Sequence, residues 1–305
     1  MSRILALIAV TIISFAQLYH FGKKPAASFF VADSLTTDVF AIYDQQGLLQ
    51  QYQASVFTPV CEVDKCYAIR LVVYWDPIGR YLQYDTLPGN ELTKLDHLPF
   101  EKNDYHRLHQ ILSDPNSVLG SYNKDELVSN VRDSEIDGFT GATVKEIKET
   151  VIEGAVYSCY TLWHIVHGTV TDSLRHATSK MLSKELVAKL VNQKDQDINY
   201  FLIESLSEQE YIAYLPEILQ TISDSEGYFA KNAIERMPPQ AMADFRAQNF
   251  FAGYFPQLNY FAQVALLKKL PGVELTEGLS KTLKQNLDDR NSLKNNLINQ
   301  LLDDH

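Results

Sequence analysis

The sequence predicts an α+β domain followed by an all-α helical domain. Three observations carry that expectation. Residues 28 to 85 are strand-rich, residues 144 to 167 keep a helical rhythm, and strand signals vanish after residue 172. The 305 residues are 46% hydrophobic, enough for a core, and a prior of roughly 150 residues per domain suggests two domains. The formal net charge is -11 and the isoelectric point about 5.2, which argues against a nucleic-acid binder or a protein docked on anionic lipid.

The elements follow in order. Arg3 precedes an apolar run from Ile4 to Ile13, and Ser14-Phe15-Ala16 is a small-x-small tripeptide ahead of Gln17. These are the parts of a secretory signal peptide, and the run is short for a span of ~20 residues. Residues 1–16 are therefore expected to be a signal peptide, residues 28–170 an α+β domain and residues 172–305 a helical domain. The expected location is extracytoplasmic (periplasmic), with an uncleaved N-terminal membrane anchor as the alternative, since Leu18, Tyr19 and Phe21 extend the apolar character.

Strands are expected at Val39–Tyr43, Gln51–Val60, Tyr67–Trp75 and from Arg80 to Tyr84. Asp76-Pro77-Ile78-Gly79 closes one of them as a turn. A helix is expected over Asp104–Leu112, with Tyr105, Leu108, Ile111 and Leu112 on one face. A longer helix is expected from 144 to 167, stopped by Gly168.

Of the three cysteines, Cys61 and Cys66 flank the polar stretch Glu62-Val63-Asp64-Lys65 between two strand-like runs. In an oxidising compartment they read as a disulfide stapling a hairpin. Cys159, in an apolar segment, reads as a buried small hydrophobe. His164 and His167 share a helix face, but a metal pair there lacks a third ligand. The sequence has no Cys-x-x-Cys-His, Gly-x-Ser-x-Gly, His-Glu-x-x-His or Walker loop.

The most specific segment is Asp137-Gly138-Phe139-Thr140-Gly141-Ala142-Thr143, directly ahead of the long helical stretch. Gly138 and Gly141 open backbone conformations closed to other residues, and Ala142 leaves room for a ligand. Thr143 puts a hydroxyl where unpaired helix N–H groups and the helix dipole favour phosphate. The plain alternative is a capping loop in which Thr140 or Thr143 caps the helix.

This segment resembles the flavinylation motif of FMN-binding domains. Such domains occur in the FMN-carrying subunits of sodium-pumping NADH:quinone reductase, in related ferredoxin-oxidising membrane complexes and in other exported flavoproteins. The family pattern is Asp, two spacers, Ser or Thr, Gly, Ala, then Thr or Ser. Asp137, the spacers Gly138 and Phe139, Thr140, Gly141, Ala142 and Thr143 match it position for position. The resemblance covers about residues 30 to 170 and implies that a flavin transferase, using FAD and magnesium, places FMN on Thr143 as a phosphoester. The family's upstream glycine-rich stretch is replaced by Leu92–Phe100, in which Lys94 and His97 are candidate partners for the flavin ring or its phosphate.

The region after residue 172 reads as repeats. Words ending at Leu206, Met237, Leu270 and Leu301 are spaced by 31, 33 and 31 residues. A period near 32 with two helices per unit resembles HEAT repeats, with an evenly spaced helical bundle as the alternative. Together these readings imply an exported electron-transfer flavoprotein rather than a stand-alone catalyst. Its repeats would dock a redox partner, and a membrane-associated electron-transfer protein is one candidate. The rival reading is a flavin-free exported scaffold.

Thiol alkylation of the native protein before and after reduction tests the hairpin staple. Reduction is expected to expose two further reactive sites, Cys61 and Cys66. Free reaction of both without reductant overturns the pairing.

Overall fold

A computed structural model of the chain describes residues 23–32, 35–60, 67–127, 145–288 and 290–303. It divides into two units, Met1–Lys180 and Met181–His305. The expected signal peptide and the pair Cys61 and Cys66 lie outside the described residues.

The first unit begins with five strands: β1 (Lys23–Ala32), β2 (Leu35–Tyr43), β3 (Leu49–Thr58), β4 (Ile69–Trp75) and β5 (Tyr81–Thr86). They pair antiparallel in sequence order as a meander. Alternation decides which face is buried. Val39 and Ala41 lie opposite Ala54 and Tyr52, and Tyr52, Ala54 and Val56 lie opposite Trp75, Val73 and Leu71. All eight are buried. Full burial of each larger side chain among them contributes roughly 1.5–3 kcal/mol.

Helices cover that face. α1 (Lys102–Ser113) packs on β5, α2 (Lys145–Thr150) and α3 (Val156–His167) follow, and α4 (Thr169–Ser179) packs on β1. Polar tips lock the layers. The Trp75 indole N–H donates to the Val166 carbonyl at 3.0 Å. The Thr178 hydroxyl donates to the Pro77 carbonyl, which leaves the Tyr52 hydroxyl to donate to Thr178 Oγ1 at 2.7 Å. Burial pushes the Tyr52 phenol up to about 12.

The sequence predicts one helix from 144 to 167, but the chain breaks it between α2 and α3. Gly154 takes φ +74, a conformation closed to ordinary helix residues. Val151 and Ile152 remain buried through the break, so the apolar rhythm runs on without the helix. Cys159 is free, fully buried in α3, and its thiol is pushed up to about 12 by burial.

The second unit is all-α. Its helices are α5 (Lys184–Val191), α6 (Gln196–Ser205), α7 (Glu208–Ala213), α8 (Leu215–Asp224), α9 (Phe229–Arg236), α10 (Pro239–Ala243), α11 (Phe245–Tyr254), α12 (Tyr260–Lys269), α13 (Glu277–Gln285) and α14 (Ser292–Asp303). Their starts are written in the sequence. Ser183, Asp195, Ser207, Asp244, Asn259 and Thr276 each accept a backbone N–H from the first turn they cap.

These helices stack in two rows. α5, α8, α11 and α13 touch in succession, as do α6, α9, α12 and α14. Several side chains bond back by nearly one repeat. Tyr214 Oη donates to the Leu182 carbonyl, Asn232 Nδ2 to Tyr200 Oη, Asn259 Nδ2 to the Gly227 carbonyl and Lys269 Nζ to the Met237 carbonyl, each across 32 residues. Tyr254 Oη donates to the Ser223 carbonyl across 31. Among the described residues no helix is long and apolar enough to cross a membrane.

The turn between β4 and β5 offers a test of packing. Gly79 has φ +81, and a Cβ there would stand 2.8 Å from the Thr171 carbonyl oxygen of α4. Gly47 has φ +76 and open space around it. Both alanine variants carry backbone strain of about 1–3 kcal/mol. Gly79→Ala is expected to lose more stability than Gly47→Ala in urea denaturation, because α4 must also shift.

Candidate functional site

The predicted attachment segment, Asp137, Gly138, Thr140, Gly141, Ala142 and Thr143, lies outside the described residues. Its described surroundings can be built from the residues upward. On its C-terminal side stands α2, whose Ile147 is fully buried. Arg107 of α1 donates from Nη2 to the Glu149 and Thr150 carbonyls at 2.9 and 3.1 Å. A guanidinium at a helix C-terminus satisfies open carbonyls and complements the negative end of the dipole. This clamp fixes the direction of α2 in the unit. The helix also packs on a short helical turn, Val118–Ser121. There Gly120 permits contact with Trp163: a Cβ would meet the indole ring at 2.5 Å.

Lys94 and His97 sit on a loop that is tied back to the same region. Its stem closes through the bridge Thr93–Pro99 and the bonds Phe100 N–H to the Leu92 carbonyl and Lys94 N–H to the Leu98 carbonyl. Leu95 N–H donates to the Gly154 carbonyl at 2.7 Å, four residues beyond α2. At the tip, Asp96 and His97 both take left-handed backbone conformations, φ 54 and 61. Two adjacent residues of this kind cost free energy that the surrounding ties must offset.

The two candidate side chains differ in what they leave open. Lys94 Nζ is 2.8 Å from Asp104 Oδ2, which also accepts the Glu101 N–H in the capping box of α1. Its charge is thus already matched by a carboxylate. His97 stacks on Tyr67, ring centroids 4.1 Å apart. Its Nδ1 is buried without a hydrogen-bond partner, a state that costs about 1–3 kcal/mol. Of the two, only the imidazole has an unused polar atom. The stack with Tyr67 and the Arg107 clamp carry no signal in sequence spacing, because their partners are distant in the chain.

His164 and His167 serve the structure. Each Nε2 lies against a backbone carbonyl, Leu119 at 3.1 Å and Leu112 at 2.8 Å. Carbonyls only accept, so each Nε2 carries the proton. Trp163 Nε1 donates to the Asp114 carbonyl at 2.8 Å beside them. Three backbone carbonyls between Leu112 and Leu119 are thereby pinned to α3. Among the described residues there is no group of three metal-ligating side chains.

The helical unit carries a groove of about 460 Å³ between α8 and α11. Leu219, Phe245 and Phe250 give it apolar walls, and Gln220, Arg246 and Asn249 line its rim. Arg246 is held in place by Asp244 Oδ2 at 2.8 Å and by the Ile212 carbonyl. No family model, curated protein or solved structure matches the chain.

Burial, the larger effect, holds both His164 and His167 below the ordinary histidine value of 6.5. The unfolded chain therefore binds protons that the folded chain refuses. Stability is expected to fall as pH drops through about 6.5 and to level off below the folded values. Replacing both by glutamine, which keeps a donor, should flatten that slope in denaturation measured between pH 7.5 and 5.

Proposed function

We propose that this protein is an exported flavoprotein that carries FMN covalently on Thr143 and exchanges electrons with a partner protein. The observation that carries the reading is the match of Asp137, Thr140, Gly141, Ala142 and Thr143 to the flavinylation pattern, immediately ahead of α2. A flavin transferase would mature it. The Thr143 hydroxyl takes the FMN phosphate from FAD and forms a phosphoester, AMP leaves, and the hydroxyl proton passes to solvent.

The described residues fit such a group in one respect. His97 Nδ1 is a buried polar atom with no partner, on a loop bonded to the segment behind α2. His97 would bond the flavin, with Tyr67 stacked behind its ring. Lys94, held by Asp104, would contribute field rather than a direct bond. The flavin, when bound, supplies one- and two-electron redox chemistry, and the chain supplies attachment, orientation and electrostatics. A tether suits an extracytoplasmic carrier, from which a diffusible flavin would be lost.

The second unit gives the partner a place to dock. Its two rows of helices bonded across 31 or 32 residues support the likeness to HEAT repeats. The same feature favours the alternative, a flavin-free exported scaffold that binds through its repeats alone.

Co-expression with a flavin transferase, followed by intact-mass measurement, separates the two. The wild type is expected to gain the mass of FMN, Thr143→Ser to keep part of it, and Thr143→Ala to lose it while remaining folded, since losing a helix-terminal hydroxyl costs only about 1 kcal/mol. Asp137→Ala is expected to impair transfer. Unmodified wild type, under conditions that flavinylate a known acceptor, overturns the flavin reading and leaves the scaffold.

A further inference from the structure

The helical unit exposes large apolar side chains at the starts of three helices of one row, α9, α12 and α14. Tyr228 caps α9, Tyr260 and Phe261 open α12, and Leu293 is the second residue of α14. Their exposures are 58% for Tyr228, 41% for Tyr260, 50% for Phe261 and 50% for Leu293. The first two stations are contiguous. The Tyr228 and Phe261 ring centroids are 5.2 Å apart, and those of Tyr260 and Phe261 5.7 Å. The Asn259 bond to the Gly227 carbonyl holds the N-terminal ends of α9 and α12 side by side, and the Lys269 bond to the Met237 carbonyl does the same at their other ends. Tyr228, Tyr260 and Phe261 therefore form one cluster across two successive repeats, and Leu293 stands at the start of the next helix of that row. Single exposed apolar residues are ordinary, but touching rings repeated along an edge mark an interaction surface.

The charges along this edge say what fits it. Near these helix starts, Asp195 and Asp197 stand at the N-terminus of α6, Asp224 ends α8, Glu226 follows in the loop to α9, and Asp288 precedes α14. The cations there also sit near acids: Lys194 Nζ is 3.6 Å from Asp224, Arg290 Nε is 3.4 Å from Asp288, and Lys294, next to Leu293, acts on Asp288 as well, so five acids stand against three cations. The net field is acidic around an aromatic row. Phosphates of nucleic acid or of anionic lipid are repelled there. A second copy would set acid against acid. A basic side chain, by contrast, gains a carboxylate and an aromatic face together.

We propose that the Tyr228–Phe261–Leu293 edge docks a basic, amphipathic segment of a partner protein, its apolar side chains on the ring row and its lysines or arginines toward Glu226 and the neighbouring acids. This deepens the docking role given to the repeats and rests on that role, not on the flavin.

The test is fluorescence anisotropy on the full chain, flavinylated and unflavinylated, with a labelled Leu/Lys amphipathic helical peptide of about 18 residues as probe. A peptide of the same pattern with Glu for Lys is the control. The basic peptide is expected to bind both forms of the protein, more weakly at high salt, and the acidic peptide to fail. The double variant Tyr228→Ser, Phe261→Ser should bind about tenfold more weakly. Phe245→Ser, more exposed but off the row, should bind as the wild type does. Glu226→Lys, which leaves the rings intact, should weaken the basic peptide and admit the acidic one. Equal binding by wild type and double variant, loss with Phe245→Ser instead, or equal binding of both peptides overturns the proposal. So does binding to phosphatidylglycerol vesicles, or a dimer in sedimentation equilibrium, that the double variant abolishes. Because unflavinylated protein is measured too, failure of the flavin reading leaves this result standing on its own.

Discussion

The buried face of the five-stranded meander has to be covered, and Trp75 is where the cover is fixed. A sheet with Val39, Ala41, Tyr52, Ala54, Val56, Leu71, Val73 and Trp75 on one side cannot leave them in water. Apolar burial alone is non-directional and would let helices slide across that face. The indole bond to Val166 and the hydroxyl chain from Tyr52 through Thr178 to Pro77 remove the freedom. Buried polar groups of this kind are costly unpaired, so they select one placement of α3 and α4 over its neighbours. Once α3 is placed, His164, His167 and Trp163 draw the Leu119 turn, the end of α1 at Leu112 and Asp114 onto it.

The candidate site depends on that chain of placements. α2 is short, and a helix of this length has little stability of its own. It is held by the Ile147 side chain, by the Arg107 clamp on its last carbonyls and by the turn around Gly120. The strained loop carrying Asp96 and His97 is tied to Gly154 just beyond it. Backbone strain and an unused buried nitrogen on one residue are the features that recur at sites of function. Both meet at His97, which sets this loop apart from the more regular surface around it.

The second unit obeys a different logic. Its neighbours in the row are bonded across 31 or 32 residues by side chains that reach backbone carbonyls, so each pair of helices is aligned by the pair before it. Order then propagates along the chain. A by-product is that the starts of α9 and α12 lie side by side, which brings Tyr228, Tyr260 and Phe261 together.

Much of the layout was legible in the sequence because it depends on local signals. The β-branched and aromatic run at Tyr67–Trp75 and the face of Leu108, Ile111 and Leu112 each rest on neighbouring residues. The match at Asp137 to Thr143 is likewise a property of sequence alone. The break between α2 and α3 was not legible, because Val151 and Ile152 continue the apolar rhythm into buried positions while Gly154 quietly turns the chain. Nor were the ion pair of Lys94 with Asp104, the stack of His97 on Tyr67 or the Arg107 clamp. These join residues far apart in the chain, and spacing carries no information about which distant partner will arrive. The sequence by itself determined the classes of structure, their order and the chemistry on offer. Only the tertiary structure decided which polar atoms are used up in holding it together and which, like His97 Nδ1, are left for something else.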